Sequence, residues 1–352
     1  MNDGAVLLLA LGACTAIGRD VPSSAAAHRA GLAGFTEHPY MMDTTGEPMR
    51  VAMVPWLESD FGVAGRIESL LCEAVEQVLA RSREALGAEA RLGLAIALPA
   101  ARPGLPLDAE ALARGAIRRR FGAVFSAVAV FPHGHAAGGL ALEAGLHGMA
   151  RRAFDACVVV GADSYIDPDT LTWLEQGEQL HGAGMLNNAW GFVPGEGAGA
   201  VLLAHADVAA RGDFHLAPQL LRVASATERN GSKSTRVCVG EGLTEALRSA
   251  LSATPEGVKV SDIFCDMNGE PYRADEYGFA CLRLGERLPD AADFIAPADC
   301  WGDVGAASVP LYMGLATMAG LKGYAKGDCA LVWASSEAGQ RAAAVMRIAR
   351  GG

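Results

Sequence analysis

Two histidines stand two residues apart in VAVFPHGHAAGGLALEAG, residues 128–145, where an apolar run gives way to small residues and then to helical spacing. That order predicts a strand, a tight elbow and a helix. Such an elbow exposes one side chain at the end of a sheet and aims the unpaired amides of the helix at it, so chemistry there ordinarily uses a Ser or Cys nucleophile. This elbow offers His133, His135, Ala136 and Ala137 instead. An imidazole can act as a base or accept an acyl group. The positive end of the helix predicts that His135 is neutral. The plainer alternative is that His135 fills space and bonds locally; His133 reads as a loop residue.

Other reactive groups are more easily assigned. The eight cysteines form no C-x-x-C pair and no cluster with His at metal-ligand spacing, so neither a disulfide framework nor a structural zinc is expected, and reduced cytoplasmic thiols are the simple reading. Cys14 and Cys157 lie in apolar surroundings and read as small buried hydrophobes. Cys265 and Cys300 neither start a helix nor have a basic neighbour to activate them. The stretch GEGAG, residues 195–199, is a weak dinucleotide signal, since that fingerprint needs a helix opening from it; strands are expected on both sides, which predicts a hairpin and no cofactor. In CDMNGEPYRADE, residues 265–276, the polar groups Asp266, Asn268, Glu270, Arg273, Asp275 and Glu276 crowd together. Internal ion pairs and helix capping are one account, and a contact at the mouth of a pocket is the other. The one basic run, Arg118-Arg119-Arg120, reads as a solvated helix face or as a docking patch for an acidic partner.

The elements that must position these groups alternate. Strands are expected at 5–12, 91–99, 123–131 and 156–163, with helices over 64–86 and 139–153. The pattern restarts after a break near 206–214, with strands around 217–228, 258–269, 293–302, 329–336 and 342–349 and helices over 239–253 and 306–321. This predicts an α/β protein with covered sheet faces, in two halves, 1–208 and 209–352, packed as one unit. A chain of 352 residues, 51% hydrophobic and 20% charged, can bury a large core. Its net charge of −11 argues against binding nucleic acid or an anionic membrane. No stretch is long enough to span a bilayer, and the N-terminus lacks the basic start of a secretory signal.

With these motifs in order, the chain resembles the thiolase superfamily, and within it the β-ketoacyl synthases. LALGACTAIGRDVPSSAAAHRAGLAG is similar to that family's opening strand, loop and helix. FDACVVVGADSY and WGFVPGEGAGAVLLA resemble the strand after its nucleophile helix and its Gly-Glu-Gly hairpin, and CWGDVGAASVPLYMGLATMA resembles its Gly-His-x-x-Gly-Ala-Ala loop and helix. The resemblance implies two βαβαβαββ repeats in a five-layer αβαβα arrangement. It also implies a homodimer or heterodimer whose two-fold lies beside the strand before the elbow.

It further implies a Cys at the elbow and two second-half His residues, or His and Asn. His135 stands at the Cys position, Asn268 at the first His, Asp303 at the second and Ala298 at a supporting Lys, while the family's last glycine turn becomes ASSEAGQ. Beyond residue 205 the only histidine is His215, in the connector between the halves. Loss of condensation is therefore expected. The leading expectation is a non-catalytic partner or scaffold, similar to a chain-length factor or to the ketosynthase-like proteins beside type VI secretion effector genes, with the adaptor role preferred. An acyl carrier protein or a secreted effector would be its partner. The competing expectation is an acyltransferase or acyl-thioester hydrolase that uses His135 with Asp303.

Overall fold

A computed structural model describes residues 4–58, 62–87, 89–185, 187–209, 217–231, 236–256, 258–288 and 290–348. The first half runs β1 (Val6–Thr15), α1 (Val21–Arg29), a β2–β3 ribbon (Thr36–Met42, Pro48–Val51), α2 (Val63–Leu86), β4 (Leu92–Leu98), α3 (Ala109–Phe121), β5 (Phe125–Pro132), α4 (Ala137–Ala150), β6 (Ala156–Ser164), α5 (Pro168–Gln176) and β7 (Glu196–His205). The second runs β8 (Gln219–Thr227), α6 (Glu241–Leu251), β9 (Asp262–Cys265), α7 (Pro271–Leu284), β10 (Phe294–Ile295), α8 (Ala298–Trp301), α9 (Ser308–Leu321), β11 (Cys329–Ser335) and β12 (Gln340–Arg347). The boundary expected at 208/209 falls between β7 and β8; His215 lies outside the described residues.

Strand order repeats. The first half arranges its sheet as β5-β4-β6-β7-β1 and the second as β10-β9-β11-β12-β8, the same order by position in each half. Val6 and Leu7 of β1 pair antiparallel with Leu220 and Gln219 of β8, which joins the two sheets edge to edge. Helices α4 and α9 lie between the sheets: α4 packs on β4, β6, β8 and β12, and α9 on β6, β7, β9 and β11. Helix α9 is apolar all round and buried from Ser308 to Gly320, as a helix enclosed on every side must be. Helices α2 and α3 cover the outer face of the first sheet, and α6 and α7 that of the second. The five layers expected of a thiolase-like fold are all present.

Two expectations need correction. The strand expected around 293–302 is only Phe294–Ile295, and the chain turns into helix at Ala298–Trp301. GEGAG is not a hairpin: Gly197 and Gly199 lie inside β7, paired with β1 and β6. A Cβ on Gly199 would stand 2.7 Å from the Leu311 amide nitrogen, so the glycine lets α9 lie close against the strand.

Candidate active-site cavity

β5 delivers the chain to the elbow at the sheet's end. Gly134, at φ +71°, makes the turn that a side chain would resist, a single 3-10 turn follows over Gly134–Ala136, and α4 begins at Ala137. The fold thereby directs His135 inward, where it is 5% exposed. Its Nε2 lies 2.8 and 2.9 Å from the two carboxylate oxygens of Asp303.

Asp303 comes from the other half and is held by its own backbone. Its N–H donates to the Val193 carbonyl and its carbonyl accepts from Gly195 N–H, both at 2.8 Å. The Asp303 carboxylate also accepts from Gly305 N–H at 2.8 Å and from Asn268 Nδ2 at 2.6 Å. Asn268 follows β9, and its Oδ1 accepts from Glu270 N–H at 3.0 Å. Thus His135, Asn268 and Asp303, far apart in sequence, form one hydrogen-bonded group.

Arg273, from the first turn of α7, closes the group. Its Nη1 donates to Asp266 Oδ2 at 2.6 Å and to the Ser335 carbonyl at 2.9 Å, and its Nε donates to Glu270 Oε2 at 3.1 Å. Its Nη2 stands 3.4 Å from His135 Nε2. An ionised carboxylate only accepts, so the Nε2 proton points at Asp303 and the guanidinium contact is charge against charge. No protein partner is found for His135 Nδ1 among the described residues.

The charges around His135 work against the expectation of a neutral ring. Burial works against the imidazolium, and so does Arg273, but the Asp303 carboxylate outweighs them and holds the ring's pKa above its ordinary value. Burial likewise opposes the Asp303 anion, yet His135, Arg273 and the Asn268 amide hold its carboxyl well below the usual range. A full carboxylate at hydrogen-bond distance outweighs the partial charge of a helix end.

Beside this group is a cavity of about 260 Å³, lined by Arg102, His133, His135, Tyr165, Ser336 and Glu337 among others. Ser336 Oγ accepts from Ala136 N–H at 2.8 Å. Arg102 is nearly buried; its Nη2 donates to Asp163 Oδ1 at 2.6 Å and to the Ser164 carbonyl at 2.7 Å, while its guanidinium lies 4.0 Å over the Tyr165 ring. Sequence reasoning did not find Arg102, Asp163 or Ser336. The only hint was an arginine set among small residues and prolines just past the end of β4.

No cysteine lines the cavity. Burial pushes the Cys157 thiol up to about 12 and raises those of Cys14, Cys265 and Cys300 as well, in keeping with inert packing groups. Half-buried Ala298 opens α8 and brings no charge. The polar stretch 265–276 resolves into internal ion pairs: Arg273 with Asp266 and Glu270, and Glu276 with Arg341, leaving Asp275 exposed. Arg119 and Arg120 of α3 pair with Glu68 and Glu76 of α2 on an exposed face, and Arg118 is exposed.

No protein-family model matches the chain, and no curated protein sequence matches it. Solved structures do. A chain of a complex between a type II polyketide acyl-carrier protein and its ketosynthase superposes with a TM-score of 0.81 at 16% identity, over 99% of this chain and 100% of that one. A β-ketoacyl synthase from Burkholderia phymatum gives 0.74 at 14%, over 99% and 100%. A ketosynthase in complex with its chain length factor from Xenorhabdus doucetiae gives 0.73 at 14%, over 98% of each chain. At these identities the likeness establishes the thiolase-like fold of the ketosynthases.

Proposed function

We propose that the chain is a ketosynthase-like subunit that does not condense acyl thioesters and serves as a partner or scaffold. One observation carries this reading: at the elbow, where the fold presents a nucleophile, His135 is bound by both oxygens of Asp303 and no thiol borders the cavity. Claisen condensation needs a thiolate to carry the acyl group and donors to receive charge from the enolate. Here a carboxylate occupies the place of a donor. Folds outlast the sites built on them, so the retained architecture suits assembly.

The free edge of the first sheet supports a paired subunit. β5 ends the strand order and leaves Ser126, Ala127 and Pro132 exposed, whereas its neighbour β4 is buried throughout. An apolar edge of eight residues is normally covered. The partner is a second copy or a related subunit, as in the ketosynthase and chain-length-factor complex similar in fold. An adaptor for a secreted effector would use the same covered edge. Intact-mass measurement after incubation with acyl-CoA and with acylated carrier protein tests the loss of condensation: no acyl adduct is expected, and an adduct mapped to residues 133–139 would overturn it.

A second reading has its own support. His135 Nδ1 has no protein partner among the described residues, and the Ser336 hydroxyl borders the same cavity. A histidine held by a carboxylate beside a hydroxyl is the core of an acyl-thioester hydrolase. Thioester hydrolysis abolished by His135→Ala and reduced by Ser336→Ala, with folding intact, would favour it.

A further inference from the structure

We propose a divalent-metal site remote in chemistry from the elbow, formed by Glu228, Cys238 and Glu276 and suited to zinc. Glu228 follows β8, Cys238 lies just before α6, and Glu276 sits on α7. One ligand atom from each falls within 4.8 Å of the others. Because the three positions come from separate elements, no local sequence motif announces them.

A carboxylate oxygen without a partner is the second observation. Glu276 is fully buried; its Oε1 accepts from Arg341 Nε, while its Oε2 is buried with no hydrogen-bond partner. An oxygen in that state has given up its hydration with nothing in return unless something binds it. Glu228 is buried too and is already oriented, its Oε2 accepting from Gly242 N–H at 2.8 Å and its Oε1 from Asn230 N–H at 3.3 Å. Each of its oxygens keeps a second lone pair. Half-buried Cys238 leaves a route of entry.

The donor set selects the ion. One thiolate with two carboxylates suits a borderline ion such as Zn²⁺, whereas Ca²⁺ and Mg²⁺ take six or more oxygens and avoid sulfur. Bonds of roughly 2.0–2.3 Å would place tetrahedral ligands about 3.5 Å apart, against atoms that now lie within 4.8 Å of one another. The Arg341 bond to Oε1 of Glu276 is the kind of outer support that metal-binding carboxylates usually have. Arg341 Nη1 also donates to the Ser336 carbonyl at 2.7 Å, so a metal here would brace the loop that borders the elbow cavity. On binding, Cys238 gives up its proton to solvent and no electrons move.

Cobalt(II) titration of the chelator-treated full chain is the test. One equivalent should bind with a thiolate-to-cobalt charge-transfer band and raise the thermal midpoint. Cys238→Ser, a near-isosteric change at a half-buried position, should abolish the band and weaken binding at least tenfold; Cys281→Ser should leave both unchanged. Glu276→Gln should weaken binding at least tenfold, with circular dichroism checking the fold because Arg341 loses its charged partner. The absence of a band in the unaltered chain, or its survival in Cys238→Ser, would overturn the site.

Discussion

The molecule builds the same elbow twice and uses it in opposite ways. In the first half a glycine at φ +71° opens the three-residue turn Gly134–Ala136 before the 14-residue α4; in the second a glycine at φ +47° opens Gly305–Ala307 before the 14-residue α9. The residue ahead of each turn has nearly the same backbone, φ −122° and ψ 11° at His133, φ −113° and ψ 16° at Val304. Each turn is tied to the other half, Ala136 N–H to Ser336 Oγ and Ala306 N–H to Asp163 Oδ2. The middle residue differs: His135 against Ala306. Space differs as well. A Cβ on Gly134 would meet nothing closer than 3.6 Å, whereas one on Gly305 would collide with the Asp163 carboxylate. The second elbow is sealed into the core and the first stays open to a cavity, so whatever chemistry remains belongs to the first. The second half contributes through Asp303, two residues before its own glycine.

The charge linking the two elbows gives the largest expected effect. Asp303→Ala would leave the His135 ring and the Gly305 N–H without their acceptor in a buried site, and would leave the Asn268 amide only Glu270 Oε2. Breaking such a pair from one side costs about 3–5 kcal/mol. Urea unfolding of the variant measures it; a loss under about 1 kcal/mol would mean that the elbows are not coupled through this carboxylate.

The sealed and open elbows should also answer differently to a single methyl group. Gly305→Ala combines left-handed backbone strain with a collision, and a loss of about 3 kcal/mol or more is expected. Gly134→Ala meets the strain alone, roughly 1–2 kcal/mol. Equal losses in denaturant unfolding would break the comparison.

Much of this was legible in the chain, and the reasons for the rest are physical. The elbow was readable because an apolar strand, small residues and a helical repeat are local patterns. Helix α4 nonetheless ends at Ala150 rather than at 153, because Arg152 turns to φ +56°. The grouping of His135, Asn268 and Asp303 followed from resemblance, since 168 positions separate His135 from Asp303. Arg102 and Ser336, which line the cavity, and Asp163, which holds Arg102, were not legible, because strand order alone brings them together. GEGAG was not legible for the same reason: Gly199 answers to α9, more than a hundred residues away. The direction in which the His135 pKa moves was not legible because the helix end is local and the stronger carboxylate is not.

A smaller effect concerns pH. The His135 pKa is raised in the folded chain above 6.5, so this ring stabilises the fold fully below its unfolded value and the contribution is lost as pH rises through the folded value. The lowered Asp303 carboxyl acts in the opposite direction: its contribution is present above 3.8 and lost as pH falls through its folded value. The stability difference between the unaltered chain and His135→Asn should therefore be largest between about pH 4 and 6.5 and shrink on the alkaline side, by about 1.4 kcal/mol for every tenfold by which folding tightens the ring's hold on its proton. A difference that instead grows toward pH 9 would show that the ring is buried neutral.

The smallest expected effect is the most informative: His135→Cys alone should gain no condensation. A thiol there sits where the free amides of α4 favour the anion, so slow acylation from an acyl thioester is expected. Acylation is only the first half-reaction. Decarboxylation of a malonyl unit and attack of its enolate need donors where negative charge develops, and the facing groups are one neutral amide, Asn268, and one carboxylate, Asp303. With His135 removed, Asp303 keeps the Gly305 N–H, the Asn268 amide and the nearby Arg273, remains ionised and repels the enolate. Losing a single oxyanion donor costs about a hundredfold or more in rate, and groups that act as a unit fail together. The open elbow would then hold a nucleophile with nothing opposite it to complete the reaction. A malonyl-dependent product assay on His135→Cys, run beside the same change combined with Asn268→His and Asp303→His, decides the point. Robust product from the single variant would mean that Asp303 and Asn268 do not face the reacting carbon, and the account of the first elbow would have to be rebuilt.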